Sequence, residues 1–134
     1  MKKHLIAVAV MALFAGCQST VPIHESEGVP IPSALNERDS KELAVEVVND
    51  PIITGRGWYL TERHDDRVSL RLEIRTHVAE VDVYFEDNRL KPVLVSTENL
   101  HQTNGEIHPN FNVWIRNLES DMRRVLSRIA ATEG

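Results

Sequence analysis

The sequence predicts an α+β domain, a two-layer sandwich with an N-terminal helix, an antiparallel meander sheet of three or four strands and a long amphipathic C-terminal helix. Three observations predict this fold. Apolar residues recur at helical spacing after Asp39, alternate with polar residues in the middle of the chain, and return to helical spacing after Pro109. Helices that flank an antiparallel sheet bury their apolar stripes together on one of its faces.

The first helix begins at a capping signal. Asp39 followed by Glu42 fits a capping box, in which the side chains satisfy free backbone N–H groups. Apolar residues then follow at helical spacing: Leu43, Ala44, Val47 and Val48. The helix should end before Pro51, because proline has no N–H and clashes with the preceding turn. Pro51 equally suits the first position of one more short turn, capped by Asp50.

The strands are predicted from alternating patterns separated by short polar turns, which favour antiparallel hairpins. The segments are 58–61, 68–74, 81–85 and a last short strand at 93–95. Pro92 lies at the start of the last strand and suggests an edge position, because proline cannot donate to a neighbouring strand. Residues 97–107 read as a polar loop with a tight turn at Asn104-Gly105.

The C-terminal helix is predicted to start at Pro109 and to run for about 20 residues. Its apolar stripe contains Phe111, Trp114, Ile115, Leu118, Met122, Val125, Leu126 and Ile129. Its polar side contains Arg116, Asn117, Glu119, Arg123 and Arg124. Because Phe111 and Trp114 fall on the apolar stripe, we expect both in the core.

The chain before the domain divides into two parts. Residues 1–16 have a basic start, with Lys2 and Lys3, and an apolar run too short to span a bilayer, which is typical of a secretion signal. Residues 17–38 contain three prolines and no regular pattern, and they predict a flexible tether. Residues 39–134 form the predicted domain.

The end of the leader resembles the lipobox of bacterial lipoproteins. The residues that carry the resemblance are Leu13-Phe14-Ala15-Gly16-Cys17, with Phe14 where leucine is usual. The resemblance implies cleavage before Cys17, fatty acylation of this cysteine, and attachment to a membrane through the lipid. Gln18 in place of aspartate implies, by the enterobacterial sorting pattern, the periplasmic face of the outer membrane. The alternative is an ordinary secretion signal with a coincidental cysteine.

A second resemblance covers residues 43–126. The motifs that carry it are Gly57-Trp58, Arg75-Thr76-His77, Ser96-Thr97-Glu98-Asn99-Leu100, and Ile107-His108-Pro109-Asn110-Phe111-Asn112-Val113-Trp114-Ile115. These motifs are similar to those of a group of small bacterial lipoproteins, in which tyrosine is usual at the position of Phe111. The resemblance implies an α+β fold in the cell envelope and supplies no reaction.

Charge and composition exclude several classes of function. The net charge is -5, and the leader removes two lysines and no acid, so the mature chain is more acidic still. An acidic chain with no basic cluster is a poor ligand for nucleic acid. The single cysteine excludes an internal disulfide and a cysteine-based metal site.

We expect no metal or other cofactor, because the spacing of the histidines matches no ligand motif. The histidines considered are His24, His64, His77, His101 and His108. No Gly-x-Ser-x-Gly motif is present, and the acidic side chains on the strands alternate toward solvent. The sequence therefore predicts a protein that is not an enzyme.

His108, Asn110 and Asn112 stand at the start of the long helix. A helix start attracts anions, so these residues are candidates for binding a small acidic ligand or a peptide carboxylate. The alternative is a structural role, in which His108 or Asn110 caps the helix and Asn112 ties down the preceding loop, and we favour this alternative.

Two classes of function follow from these observations. The first is a membrane-anchored binding or scaffold module that meets an envelope protein or a cell-wall partner through its sheet edge or its polar sheet face. The second is an enzyme that acts on a periplasmic substrate. The missing catalytic motif favours the first class.

Overall fold

The computed structural model describes residues 19–133 of the chain. The predicted signal and Cys17 lie outside the described residues. The strands are β1 Val21–Pro22, β2 Val29–Pro30, β3 Tyr59–Arg63, β4 Arg67–Ile74, β5 His77–Glu86, β6 Arg89–Glu98 and β7 Glu106–Ile107. The helices are α1 Ser40–Val48, α2 Pro51–Thr54 and α3 Pro109–Glu133, with a 3-10 turn at Ser33–Leu35.

The sheet confirms the predicted α+β class. Its five strands lie in the order β2-β6-β5-β4-β3 and all neighbours are antiparallel. The meander of β3 to β6 matches the predicted strands, and the two-residue β2 adds a fifth at one edge. A separate two-stranded ladder pairs β1 with β7.

The core lies between the helices and one face of the sheet, which we call the inner face. Alternate residues of the central strands are buried there because successive side chains of a strand point to opposite faces. They are Val68, Leu70, Leu72, Ala79, Val81, Val83 and Leu90. Helix α1 packs on β3 to β5, and α3 lies beside α1, α2 and β2. The largest fully buried side chain is that of Trp58.

The predicted capping residues of the short helices are confirmed. The Asp39 carboxylate accepts a hydrogen bond from the backbone N–H of Glu42 at 3.0 Å, and α1 begins at the next residue, Ser40. Pro51 is the first residue of α2, and the Asp50 carboxylate accepts from Ile52 N at 3.0 Å. Of the two readings of Pro51, the structure therefore has the one in which it starts a new turn.

The prediction of a flexible tether up to residue 38 is wrong for the part that the structure describes. Val29, Ile31 and Leu35 are buried in the core, and Val21–Pro22 and Val29–Pro30 pair with strands of the domain. Prolines are compatible with this arrangement because β1 and β2 are two-residue strands at edges, where a missing N–H costs little. We call residues 21–30 the N-terminal strap.

The last strand of the meander is longer than predicted. Strand β6 extends over Arg89–Glu98, and Pro92 is accommodated because β2 pairs only with Arg89 and Leu90. The segment 97–107 is only partly the polar loop that was expected, since its ends belong to β6 and β7, and Leu100 and Ile107 are buried. The predicted turn at Asn104-Gly105 is confirmed: both residues have positive φ, and Thr103 and Glu106 exchange two backbone hydrogen bonds.

Helix α3 starts at Pro109 as predicted and is 25 residues long, or about 37 Å. Phe111 is fully buried, whereas Trp114 is only partly buried. The placement of Glu119 on the polar side is wrong, because this residue is buried. None of the helices among residues 19–133 has the length and apolar character needed to cross a bilayer.

Candidate functional site

The N-terminal strap is fastened to the first turns of α3 by Asn112. The Asn112 side chain is buried; its Nδ2 donates to Pro22 O at 2.9 Å, and its Oδ1 accepts from His24 N at 2.9 Å. One amide thus satisfies a carbonyl and an N–H of an extended segment, as a neighbouring strand would. Asn112 therefore has a structural role, and the segment that it fixes is the strap.

Glu119, two turns further along α3, makes the second attachment. Its carboxylate accepts from Ser26 Oγ at 2.6 Å and contacts His24 Nε2 at 2.9 Å. Ser26 Oγ also accepts from Gly28 N at 3.0 Å, so the hydroxyl is used as both donor and acceptor. A buried carboxylate needs such partners, because its desolvation is otherwise costly.

The juxtaposition of a serine, a histidine and a glutamate does not form a nucleophilic triad. In such a triad the histidine accepts the proton of the serine while the acid orients the histidine. Here Ser26 and His24 both bind the Glu119 carboxylate, and Ser26 Oγ gives its proton to the acid. The cluster is suited to holding the strap on α3.

His108 caps α3. Its Nδ1 accepts from Asn110 N at 3.1 Å, and its carbonyl accepts from Phe111 N at 3.1 Å. Asn110 is exposed. The three residues singled out at this helix start thus divide: His108 caps the helix, Asn112 fixes the strap, and Asn110 is free to meet solvent.

Three histidines converge on this end of the molecule. The His108 ring lies 6.3 Å from the rings of both His77 and His101, and the Trp114 ring lies 6.4 Å from that of His77. The His77 ring bonds Asn99 O through Nδ1 at 2.7 Å, which places its proton on Nδ1. His108 Nδ1 accepts a hydrogen bond, so its proton is on Nε2, where it opposes metal binding. Across residues 19–133, no group of three His, Cys, Asp or Glu side chains is arranged to hold a metal ion.

The outer sheet face is the face of β3 to β6 opposite the core. Its charges are organised by Arg71, which donates to Glu73 Oε1 at 2.7 Å and to the Glu80 carboxylate. Tyr59 Oη donates to Glu73 at 3.1 Å, and Ser96 Oγ donates to Glu80 at 3.0 Å. The hydrogen bond from Arg71 lowers the pKa of Glu73, and desolvation raises the pKa of Tyr59.

A second network lies beside the first on the same face. Arg67 donates to Asp82 at 3.1 Å and to Asp66 at 2.7 Å, and its guanidinium lies 5.7 Å from the ring centre of Tyr84. Ser69 Oγ donates to Asp82 at 2.7 Å. Each acid of the two networks is bonded to an arginine and not to a second acid, so neither network has the pair of neighbouring carboxyl groups that is typical of general acid-base catalysis.

Apolar side chains are exposed between these charges. Four large apolar side chains are exposed within residues 19–133, and three of them belong to the sheet. Tyr59 lies on β3, and Val93 and Val95 lie on β6. Val95 is the bulged residue of β6, because the register with β5 shifts between Ser96 and Leu94. The outer sheet face therefore combines ordered charges with accessible apolar surface.

The chain matches no protein-family model, no curated protein sequence and no solved structure.

Proposed function

We propose that this chain is a lipoprotein of the cell envelope, anchored by acyl chains on Cys17, whose domain is a binding or scaffold module. The observation that carries the binding role is the outer sheet face. Its side chains are half-buried or exposed, and its arginines and carboxylates are fixed in position by one another. Preformed charges beside exposed apolar groups suit a protein partner, because binding then orders few side chains.

The proposed address is the periplasmic face of the outer membrane. The support is the lipobox-like sequence ending in Cys17, the residue Gln18 after it, and the resemblance of residues 43–126 to small bacterial lipoproteins. Two or three acyl chains hold a protein on a membrane durably. Lipid attachment thus accounts for membrane association of a chain whose acidic balance gives it no attraction to anionic lipid.

The proposed role is tested by photo-crosslinking in intact cells, with the crosslinking residue at Val95 on the outer sheet face. We expect the native chain to crosslink to one envelope protein and to sediment with membranes. The Cys17→Ser variant should appear in the soluble fraction and lose the crosslink, because it is no longer concentrated near its partner.

The matched control places the crosslinking residue at Ser120, an exposed position of α3. A partner captured equally from Val95 and Ser120 would argue against recognition by the outer sheet face. Sedimentation of the Cys17→Ser variant with membranes would refute the anchor. These two results are independent, so the binding role and the anchor are judged separately.

A further inference from the structure

The chain enters the domain at the end where α3 begins. Val21 pairs with Ile107, and Pro22 pairs with Glu106, directly before the first residues of the helix. Thr20 Oγ1 donates to Glu106 Oε1 at 2.5 Å, which fixes the segment one residue earlier. We call the residues around this entry point, 99–115, the entry end.

The entry end is close in sequence to the proposed anchor. Only three residues lie between Cys17 and Val21, so the four steps of chain from one to the other span at most about 14 Å when fully extended. Because Asn112 and Glu119 hold the strap on α3, the strap adds no slack beyond Val21. If Cys17 is acylated, as proposed above, the entry end is therefore held at the bilayer surface.

The surface of the entry end is unusually poor in charge. Residues 99–115 contain a single Asp, Glu, Lys or Arg, which is Glu106, although 26% of the chain is charged. Glu106 is engaged by Thr20. The exposed side chains are instead uncharged amides, a threonine, a valine and His101. Approach of residues 99–115 to a bilayer interface thus brings only one formal charge of their own, that of Glu106, toward the lipid, and charges are the most costly class of group to bury.

The same end presents an aromatic and an aliphatic side chain. Val113 is 51% exposed, and the neighbouring Trp114 is partly buried with its indole beside His77. Trp114 lines an open cleft with Val113 and Ile74. The cleft is also lined by Arg56, whose guanidinium is paired with the buried Asp121 carboxylate. Tryptophan favours the bilayer interface, where its apolar ring and its N–H both find suitable surroundings.

From these observations we propose that the entry end is a lipid-docking surface, on which Trp114 and Val113 contact the interface of the bilayer that carries the anchor. This inference rests on the proposed acylation of Cys17. Docking fixes the orientation of the domain, with the start of α3 toward the lipid.

The test is quenching of tryptophan fluorescence by brominated phospholipids. The native acylated chain is reconstituted into vesicles of phosphatidylethanolamine and phosphatidylglycerol, and flotation is measured on the same sample. The chain contains two tryptophans, and Trp58 is only 1% exposed, so quenching reports on Trp114. We expect quenching of the native chain and its loss in the Trp114→Phe variant.

Two valine variants separate docking from a change of fold. Val113→Asp places a charge on the entry end at an exposed position of α3, where the change does not disturb the core. Val95→Asp makes the same change at a residue of similar exposure, 53%, on the outer sheet face. We expect Val113→Asp to lose most of the quenching and Val95→Asp to retain it.

The outcomes distinguish the two proposals. A native chain that does not float with vesicles would refute the anchor. A native chain that floats but shows no quenching of Trp114 would overturn lipid docking and leave the anchor intact. Equal quenching of the Val113→Asp and native chains would also overturn docking through this surface.

Discussion

At the scale of single residues, Asp50 joins two helices. Its carboxylate caps α2 by accepting from Ile52 N, and it also accepts a hydrogen bond from Arg128 on α3. The hydrogen bond from Arg128 is the main cause that lowers the pKa of Asp50. The stabilisation from this ion pair is therefore complete above the ordinary carboxyl pKa and is lost as the pH falls through the lowered pKa of the folded state.

We predict that Asp50→Asn keeps the helix cap but removes the part of the free energy of unfolding that depends on the charge of Asp50. Urea unfolding at pH 7 should show a loss of about 1 kcal/mol or less, since Arg128 is largely exposed. The difference between the native chain and the variant should shrink at pH 3. Asp39→Asn is the matched control, because Asp39 caps α1 without an arginine partner. A difference for Asp50→Asn that is independent of pH would contradict the assignment.

Residues with local roles were predictable, and those with distant partners were not. Asp39, Asp50 and Pro109 act within one turn of chain, so short sequence signals identify them. Glu119 was misplaced because helical periodicity assigns a charged residue to solvent. Its burial depends on His24 and Ser26, which lie more than 90 residues away in sequence. The burial of Asp121 against Arg56 was not predictable for the same reason, since the two residues lie 65 positions apart in sequence.

At the scale of elements, the N-terminal strap depends on two side chains of one helix. Asn112 and Glu119 each make two hydrogen bonds to it, and both are buried. Removal of a buried partner leaves the other groups unsatisfied, at a cost of about 1–3 kcal/mol. The strap should therefore open more often than the rest of the domain when either residue is lost.

We predict that Asn112→Ala and Glu119→Ala each accelerate cleavage of the strap by a glutamate-specific protease at Glu25 and Glu27. The increase in rate should be roughly tenfold, as follows from the lost hydrogen bonds. Circular dichroism should show that the rest of the fold is retained. Ser120→Ala, an exposed change on the same helix, should leave the cleavage rate unchanged. Unaltered cleavage of both α3 variants would show that other contacts hold the strap.

The strap illustrates where proline content misleads. Three prolines in residues 17–38 indicated a tether, yet Val21 and Ile23, and then Val29 and Ile31, alternate at the period of a strand. That alternation was the available signal for β1 and β2. The partner of β1, strand β7, is only two residues long, and the partner of β2, strand β6, is already paired with β5 on its other side. No local rule therefore identified either pairing.

At the scale of the whole molecule, the proposed acylation of Cys17 gives the chain before the strap a defined role: its length sets the distance between the domain and the membrane. We predict that about ten glycine and serine residues inserted between Gln18 and Ser19 leave flotation with vesicles unchanged but weaken the quenching of Trp114. A longer flexible linker lowers the effective concentration of the entry end at the bilayer.

The control carries the same insertion after Gly134, where it adds mass without lengthening the proposed connection. Quenching of this control should equal that of the native chain. Undiminished quenching after the insertion near Gln18 would mean that the entry end binds lipid independently of the short connection.

The overall architecture was predictable because apolar residues recur at helical spacing in the two helices and alternate with polar residues in the strands of the meander. The candidate surfaces were less so. The gathering of His77, His101 and His108 with Trp114 depends on how the start of β5, the loop after β6 and the start of α3 meet in space. By contrast, Cys17 could be proposed as a modification site from the sequence, because the pattern that indicates it is local.

The strap also has a consequence for the order of assembly. The hydrogen bonds that join Thr20 and the strap to Glu106, Asn112 and Glu119 span 86 to 95 residues of chain. A chain that crosses a membrane N-terminus first exposes the strap before α3 has emerged. On the proposed export route, the strap therefore cannot make these contacts until α3 has crossed the membrane. The short connection forms only when the last helix arrives.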